Sequence, residues 1–529
     1  MERFFNDVMI IGCGAAGLRA AIAAAEEGRN VCVLSKASHG LGTCTVMSRG
    51  HFAGARTGWT PEQHRESTLR AGKGLNQNEL VDILIQDAPE RLDEILRWGL
   101  QGVIKNGQLY ALGPPPVWGR EIVRCLFEKA AGVGVQFRSG LTTARIWVGE
   151  GAVGVLCYAA ERGEWVGFTS RSLVLATGGA GALFLRHDNP QRMLGEGYAL
   201  ALEAGATLRD MEFFQFLPLA TAEPGRPQFP IPSTIASRGR LMNTRGEEIL
   251  EKHGILERPA DVHARDRLSQ VLMSEIRNGD SVFLDLSRVS ESEWMEDALG
   301  SGTILLNRFR AKEVPLRVAP TAHFCTGGVC IDPQGWTRVP GLYAAGEVTG
   351  GLHGANRMAG NALSEALVFG DRAGKAASRW AGQIPPPGGK GIWEEIMASI
   401  SGDLGTGTSR GSAELKKRVR KMLWENGGIL RSKEGLLQTI EAVTQIRDEA
   451  QHLSLKTAPS EVQNIIELQL GLKTAILILQ AALRREESRG AHFREDFPAE
   501  DDSHWRGHLE VSLVQGKPAW SFMAAETTP

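Results

Sequence analysis

The sequence predicts an α/β chain organised around a parallel, dinucleotide-binding βαβ unit, and three observations predict it. In Asp7–Lys36 an apolar run (Val8–Ile11) feeds Gly12-Cys13-Gly14-Ala15-Ala16-Gly17 and an Ala-rich helix. A second apolar run, Val31–Leu34, then follows at the spacing a parallel βαβ unit needs. Far from this unit, the buried-strand pattern Ser172–Ala176 runs into a second glycine-bearing turn, Thr177-Gly178-Gly179-Ala180-Gly181. Finally, Leu415–Arg485 carries apolar residues at the spacing of about three bundled helices.

The first turn explains itself physically. Glycines at 12, 14 and 17 let the backbone turn tightly and approach a pyrophosphate, which rests on free N–H groups at the helix start near Ala15 and Ala16. A bare Gly-x-Gly-x-x-Gly also fits an ordinary glycine-rich turn; the strand–turn–helix–strand setting favours dinucleotide binding. The second strand ends in Ser35-Lys36, where an NAD site usually has an acid for the ribose. That weakens NAD, and the second strand-to-glycine device raises flavin adenine dinucleotide (FAD). The small-residue loop Ala37–Thr45, with Gly42, Thr43 and Cys44, suits wrapping such a cofactor. His39 and His51 read as solvated loop residues.

Residues 61–100 read as packing helices, Arg120–Ala131 as another, Gly134–Arg138 as a short strand and 142–169 as a β-meander. Pro385–Gly389 and Ser401–Ser412 read as linkers. A length of 529 residues suggests about three folding units. Apolar content of 42% and charged content of 23% are those of a globular protein, and a net charge of −2 gives no reason to expect nucleic acid or an anionic membrane as partner. No apolar run reads as bilayer-spanning and no basic-then-apolar leader opens the chain. The expectation is a cytoplasmic protein, or one peripheral on the inner face of a membrane through partner subunits. The seven cysteines include no Cys-x-x-Cys, so no metal site is expected and any iron–sulfur relay lies on another chain.

Motifs spread in order along the chain carry a resemblance. They are Gly195–Leu200, Met211–Phe216, His323–Gly328, Gly341–Glu347, His353-Gly354-Ala355-Asn356-Arg357-Met358-Ala359-Gly360-Asn361-Ala362-Leu363 and Arg489–Pro498. Together they resemble the flavoprotein subunits of succinate dehydrogenase and fumarate reductase, with L-aspartate oxidase. The resemblance implies a two-dinucleotide-type, Rossmann-like FAD-binding domain over 1–215 and 320–385, with an α+β capping domain (216–319) inserted. A C-terminal helical domain (408–490) and a docking tail (491–529) would follow.

By the same resemblance, Arg357 and His323 grip a substrate carboxylate, Arg265 donates a proton to a substrate carbon, and Arg238 is its relay. Glu347, Asn361, Ala362 and Leu363 would contact the flavin, with Glu196 at a position where the family has Asp. Arginine suits the carboxylate role through its planar fork, and as an acid it requires a closed site. Two family positions are changed. Leu217 stands where a histidine grips the substrate's second carboxylate, and Ile235 where the family has a relay glutamate. Losing the charge-assisted hydrogen bond at Leu217 costs about 1.5–3 kcal/mol for a dicarboxylate. The expected substrate is therefore a small organic acid other than simple fumarate, with a less polar or larger far end. Cys44 occupies the place of the histidine that binds FAD covalently, so non-covalent FAD is expected. The leading function is a fumarate-reductase-like catalytic subunit fed by an iron–sulfur subunit. L-aspartate oxidase, and a flavin-bearing electron-transfer subunit of a larger complex, are the alternatives.

Overall fold

Val8–Ile11 is apolar without alternation because its strand is covered on both faces. In the computed structural model this run ends strand β1 (Glu2–Ile11); the described residues are 2–54, 58–113, 118–149, 151–295, 301–385, 411–455 and 457–525. β1 pairs in parallel with β2 (Val31–Leu34) on one side and with the strand Glu164–Leu175 on the other. Register places Ile11 beside both Leu34 and Leu175, so the two glycine-bearing turns leave the sheet at the same edge. The strands Leu141–Gly149 and Ala152–Ala159 add an antiparallel meander, and Leu342–Ala344 returns in parallel beside Leu173–Leu175.

Helix α1 (Ala15–Glu26) is alanine-rich for a packing reason. It lies against the long helix Asn361–Gln383 so closely that a Cβ on Gly374 would come within 2.2 Å of the Ala20 carbonyl oxygen. Small residues on both helices allow that approach. This contact fastens the segment after 340 onto the first βαβ unit.

Between these two parts the chain builds a four-stranded antiparallel sheet, ordered Phe214–Thr221, Leu316–Cys325, Val282–Asp285, Arg240–Asn243. It has its own apolar core, including Leu219, Ile235, Leu268, Leu272 and Leu284. The first two strands also reach the main core through Phe214, Phe216, Ala322 and Cys325. The inserted unit thus stands on a strand pair rooted beside the glycine-bearing turns.

The C-terminal region holds the helices Ser412–Met422, Lys433–Gln451 and Pro459–Arg484. Pro459–Arg484 is long and apolar enough to cross a bilayer, contrary to the sequence expectation, and 78% of its apolar window is buried within the protein. The stretch expected as a docking tail folds back onto the protein over its described residues, 491–525. Its hairpin, Gly507–Val514 with Lys517–Ala524, joins a sheet by pairing with Leu208–Arg209. Fully buried Arg485 secures it, bonding Glu212, Glu487 (2.9 Å) and the Gly507 carbonyl oxygen (2.9 Å). Removing one partner from so buried a charge costs roughly 3–5 kcal/mol. Of the expected linkers, 386–389 and 401–410 lie outside the described residues.

Candidate active site

A single cavity of about 830 Å³ runs from the Gly12–Ala16 turn, past Thr177 and Gly178, to the foot of the inserted unit. One end is built from backbone. Gly12 has φ +114°, and a Cβ there would meet the Ala176 carbonyl oxygen at 2.1 Å, so the two strand ends touch. Helix α1 begins with no cap from its own N-cap residue, Gly14; of its first-turn donors the Ala15 N–H is taken by Thr45 Oγ1 at 3.0 Å, and Ala16 lines the cavity beside it. Ser35, Lys36, Gly42, Thr43 and Cys44 line the same end. Lys36 pairs with Glu196, donates to the Arg192 carbonyl oxygen (2.8 Å) and lies 3.4 Å from Glu467 of the Pro459–Arg484 helix.

FAD fits this end by three observations. The helix start offers donors to a pyrophosphate, and Thr177 Oγ1 is buried against the cavity without a hydrogen-bond partner. Glu347 also lines the cavity, and burial pushes its carboxyl up to about 8, aided by Glu365 and Asp188 and opposed by the Cys325 N–H and Arg357. A buried carboxyl in that state can both accept and donate hydrogen bonds to cofactor hydroxyls. Ala362 and Leu363 line the cavity beyond it. Burial holds the Cys44 thiol well above its ordinary value, reinforced by Glu347 and Asp188.

The other end is built from side chains. Arg265, Arg357 and His323 converge there, from the start of helix Arg265–Arg277, from the turn before Asn361–Gln383 and from strand Leu316–Cys325. Arg265 Nη1 lies 3.3 Å from the Arg357 carbonyl oxygen and donates to it. Arg357 is buried, donates to Gln215 Oε1 (3.0 Å) and the Met358 carbonyl oxygen (3.0 Å), and stacks 4.6 Å over Phe324. Burial, with Arg265 adding to it, brings its guanidinium down to about 10. Burial also lowers Arg265, against Asp266 and Asp261. Both side chains keep a buried Nε without a hydrogen-bond partner. Two crowded, under-satisfied guanidiniums call for an anion between them. His323 Nδ1 lies 2.8 Å from Asp188 Oδ2. Burial raises Asp188, but His323 and Asn189 outweigh it and hold the carboxyl below its ordinary value, so it accepts from Nδ1 and fixes the ring.

Four sequence-chosen residues sit elsewhere. Gly17 and Gly179 do not line the cavity: a Cβ at Gly17 would meet the Gly12 carbonyl oxygen at 2.0 Å, and one at Gly179 would meet Glu347 Oε1 at 2.0 Å. Each glycine keeps a close approach open. Asn361 turns away, bonding His64 (2.8 Å) and Thr68 (2.9 Å), while Ala359 and Gly360 line the cavity instead. Arg238 does not line the cavity; it lies 3.4 Å from Glu293 within the inserted unit. His51 is no solvated loop residue. It lies on strand His51–Ala53, lines the cavity, stacks on Tyr110 and is lowered by burial. Sequence reasoning passed over Asp188, Gln215 as an Arg357 partner, and Glu467. Only the first had a local signal, a lone acid between His187 and Asn189.

Leu217 lines the arginine end beside Gln228, Phe229 and Pro230, and Ile235 is fully buried in the inserted unit's core. Neither change is a surface accident.

Comparison with known proteins follows the same geometry. Residues 7–363 match the family described as FAD binding domain, and residues 416–528 match Fumarate reductase flavoprotein C-term. The chain is 33% identical to a component of the fumarate reductase (CoM/CoB) of Methanothermobacter marburgensis, covering 96% of each. It is 32% identical to the L-aspartate oxidase of Streptomyces coelicolor, covering 96% of this chain and 91% of that one. It superposes on a mutant FrdA of E. coli quinol fumarate reductase with a TM-score of 0.90 at 28% identity, over 100% of this chain and 98% of that one. The chain belongs to the FAD-binding fumarate reductase, succinate dehydrogenase and L-aspartate oxidase flavoprotein family, and is a FAD-dependent oxidoreductase acting on CH–CH groups.

Proposed function

We propose that this protein reduces the C=C bond of an α,β-unsaturated carboxylic acid whose far end is apolar or larger than a carboxylate. The observation that carries the reading is Arg265, Arg357 and His323 on one cavity wall with Leu217 beside them. The Gly12–Ala16 turn, Thr177 and Glu347 would hold FAD, which would supply a hydride. Arg357 and His323 clamp the carboxylate and draw electron density toward it, which readies the β-carbon for attack and leaves the α-carbon to be protonated. Arg265, its positive charge already destabilised by burial, gives a proton to the adjacent carbon. Burial of Arg357 keeps water from the clamp. Leu217, Phe229 and Pro230 then receive the substrate's far end by apolar contact.

FAD is held without a covalent bond in this reading, since Cys44 is a half-buried thiol held in its protonated form where a covalent site needs a reactive group. Yellow colour lost to the supernatant on acid precipitation supports it; colour staying with the pellet contradicts it. The electrons come from an iron–sulfur subunit, in keeping with the similarity to components of fumarate reductase (CoM/CoB) and of quinol fumarate reductase. Similarity to an L-aspartate oxidase, with no such partner needed, supports a second reading. Anaerobically photoreduced protein mixed with fumarate, crotonate and cinnamate separates them. Fastest flavin reoxidation by a substituted enoate supports the proposal. Fumarate as the best oxidant overturns the substrate, and oxidised protein reduced by L-aspartate selects the oxidase.

A further inference from the structure

The register of one strand pair fixes what faces the arginine end of the cavity. Between Phe214–Thr221 and Leu316–Cys325, Phe216 pairs with Ala322 and Leu217 with Thr321. Directly paired residues share a face of the sheet, and faces alternate along a strand. Phe216 and Ala322 belong to the main core, so Leu217 and Thr321 face the other way, where Leu217 lines the cavity. His323 follows two residues after Thr321 on that same face, about 7 Å along the strand. A register shift beside it brings Phe324 to the cavity as well.

Thr321 is fully buried, and its hydroxyl donates to Gln228 Oε1 at 3.1 Å; Gln228 lines the cavity. With its oxygen held, the half-buried Gln228 side chain has its amide nitrogen left to offer, and that nitrogen has no hydrogen-bond partner among the described residues. The segment that carries it is tied down from several sides. The Phe229 N–H donates to Thr221 Oγ1 (2.9 Å), and the Thr221 N–H donates to the Phe229 carbonyl oxygen (3.0 Å). The Ile231 N–H donates to the Leu219 carbonyl oxygen (2.9 Å), and Arg49 donates to the Pro230 carbonyl oxygen. Arg226, exposed on the same segment, donates to the Arg308 carbonyl oxygen at 3.0 Å.

We propose that Gln228 reads the far end of the substrate, donating from its amide nitrogen to an uncharged oxygen, and that Thr321 is its positioning residue. The inference rests on the reductase reading above and narrows its substrate to a 2-enoic acid bearing a hydroxyl or ether oxygen on the fourth carbon. The spacing suits such an acid, since the step from His323 to Thr321 is on the scale of its carboxylate-to-oxygen span. The carbons of the far end lie against Leu217 and Phe229, and the oxygen gives the Gln228 amide its missing partner. A second carboxylate would leave water for two apolar side chains and one neutral donor, which offsets less of its desolvation than a charged partner does. A bare methyl group would leave the amide nitrogen unpaired.

The test uses FAD-loaded, anaerobically photoreduced wild type, Q228L and T321V. Its readout is the ratio of the rate constants for flavin reoxidation by 4-methoxycrotonate and by crotonate, each at limiting concentration. A ratio within one preparation cancels any loss of folded or flavin-loaded protein, so a merely structural defect does not move it. Wild type should favour the methoxy acid by about tenfold. Q228L, close to glutamine in volume but without a donor, should bring the ratio to about one. T321V keeps the amide but releases its oxygen, and should give an intermediate ratio of about threefold. A wild-type ratio of one or less overturns the subsite, as does a Q228L ratio equal to that of wild type. A T321V ratio equal to that of wild type overturns the positioning role of Thr321. Reduced wild type that neither acid reoxidises overturns the reductase reading itself, and the subsite falls with it.

Discussion

The two ends of the cavity are made of different material. At the FAD end most of the important atoms are backbone, a helix start and two strand ends in contact at Gly12 and Ala176, joined by one side-chain carboxyl, Glu347. At the inserted-unit end they are the tips of long side chains drawn from segments up to 142 residues apart, as in the bond between Gln215 and Arg357. The first kind of site tolerates little change, because a single Cβ collides. The second can be retuned one side chain at a time, as at Leu217, which lines it. The cofactor end therefore carries the family likeness, and the proposed substrate rests on the other end alone.

The sharpest way to separate the ends is to break each alone. R357Q should leave flavin binding intact yet lower kcat/KM by about 10³-fold, because the carboxylate loses its buried fork; flavin absorbance and initial rates read the two effects apart. G12A does the opposite. Its Cβ would lie 2.1 Å from the Ala176 carbonyl oxygen at a φ of +114°, so a loss of more than about 3 kcal/mol and a flavin-free product are expected, read by thermal melt and colour. L217H sharpens the comparison instead of breaking it. A donor restored beside the two arginines should raise preference for fumarate over crotonate by about 10–100-fold, the worth of a charge-assisted hydrogen bond.

The smallest effect concerns pH and the FAD end alone. Glu347 has a folded value of about 8 against 4.5 unfolded, so its burial costs nothing below pH 4.5 and weakens the flavin-free fold progressively as pH rises to 8. E347Q should remove that slope, gaining a few degrees in Tm at pH 8 and none at pH 4. An unchanged slope would mean that another group sets it.

This division also explains what the sequence made legible. The βαβ unit, the second glycine turn and the three C-terminal helices follow from local pattern: apolar runs, glycine spacing and 3.6-residue periodicity are properties of neighbouring residues. Gly12, Thr177 and Lys36 were found that way. Arg265, Arg357 and His323 carried no local signal that distinguishes a clamp from a surface pair, and family motifs supplied it. Asn361 and Arg238 show the limit of such motifs. Asn361 is claimed by His64 and Thr68, some 290 residues away, and Arg238 stands beside Glu293. Neither partner is visible without the fold. The C-terminal hairpin was missed because its two short strands, Gly507–Val514 mostly buried and Lys517–Ala524 mostly exposed, rest on Leu208–Arg209 and on the buried Arg485 bonds, all contributed from elsewhere.

The central claim is that the arginine end holds one carboxylate and an apolar remainder. The most direct measurement is a titration of the FAD-loaded, oxidised protein with butanoate and with succinate, following the flavin absorbance band. Butanoate should perturb the band at lower concentration than succinate, and R357Q should abolish both responses. Tighter binding of succinate than of butanoate would contradict the account.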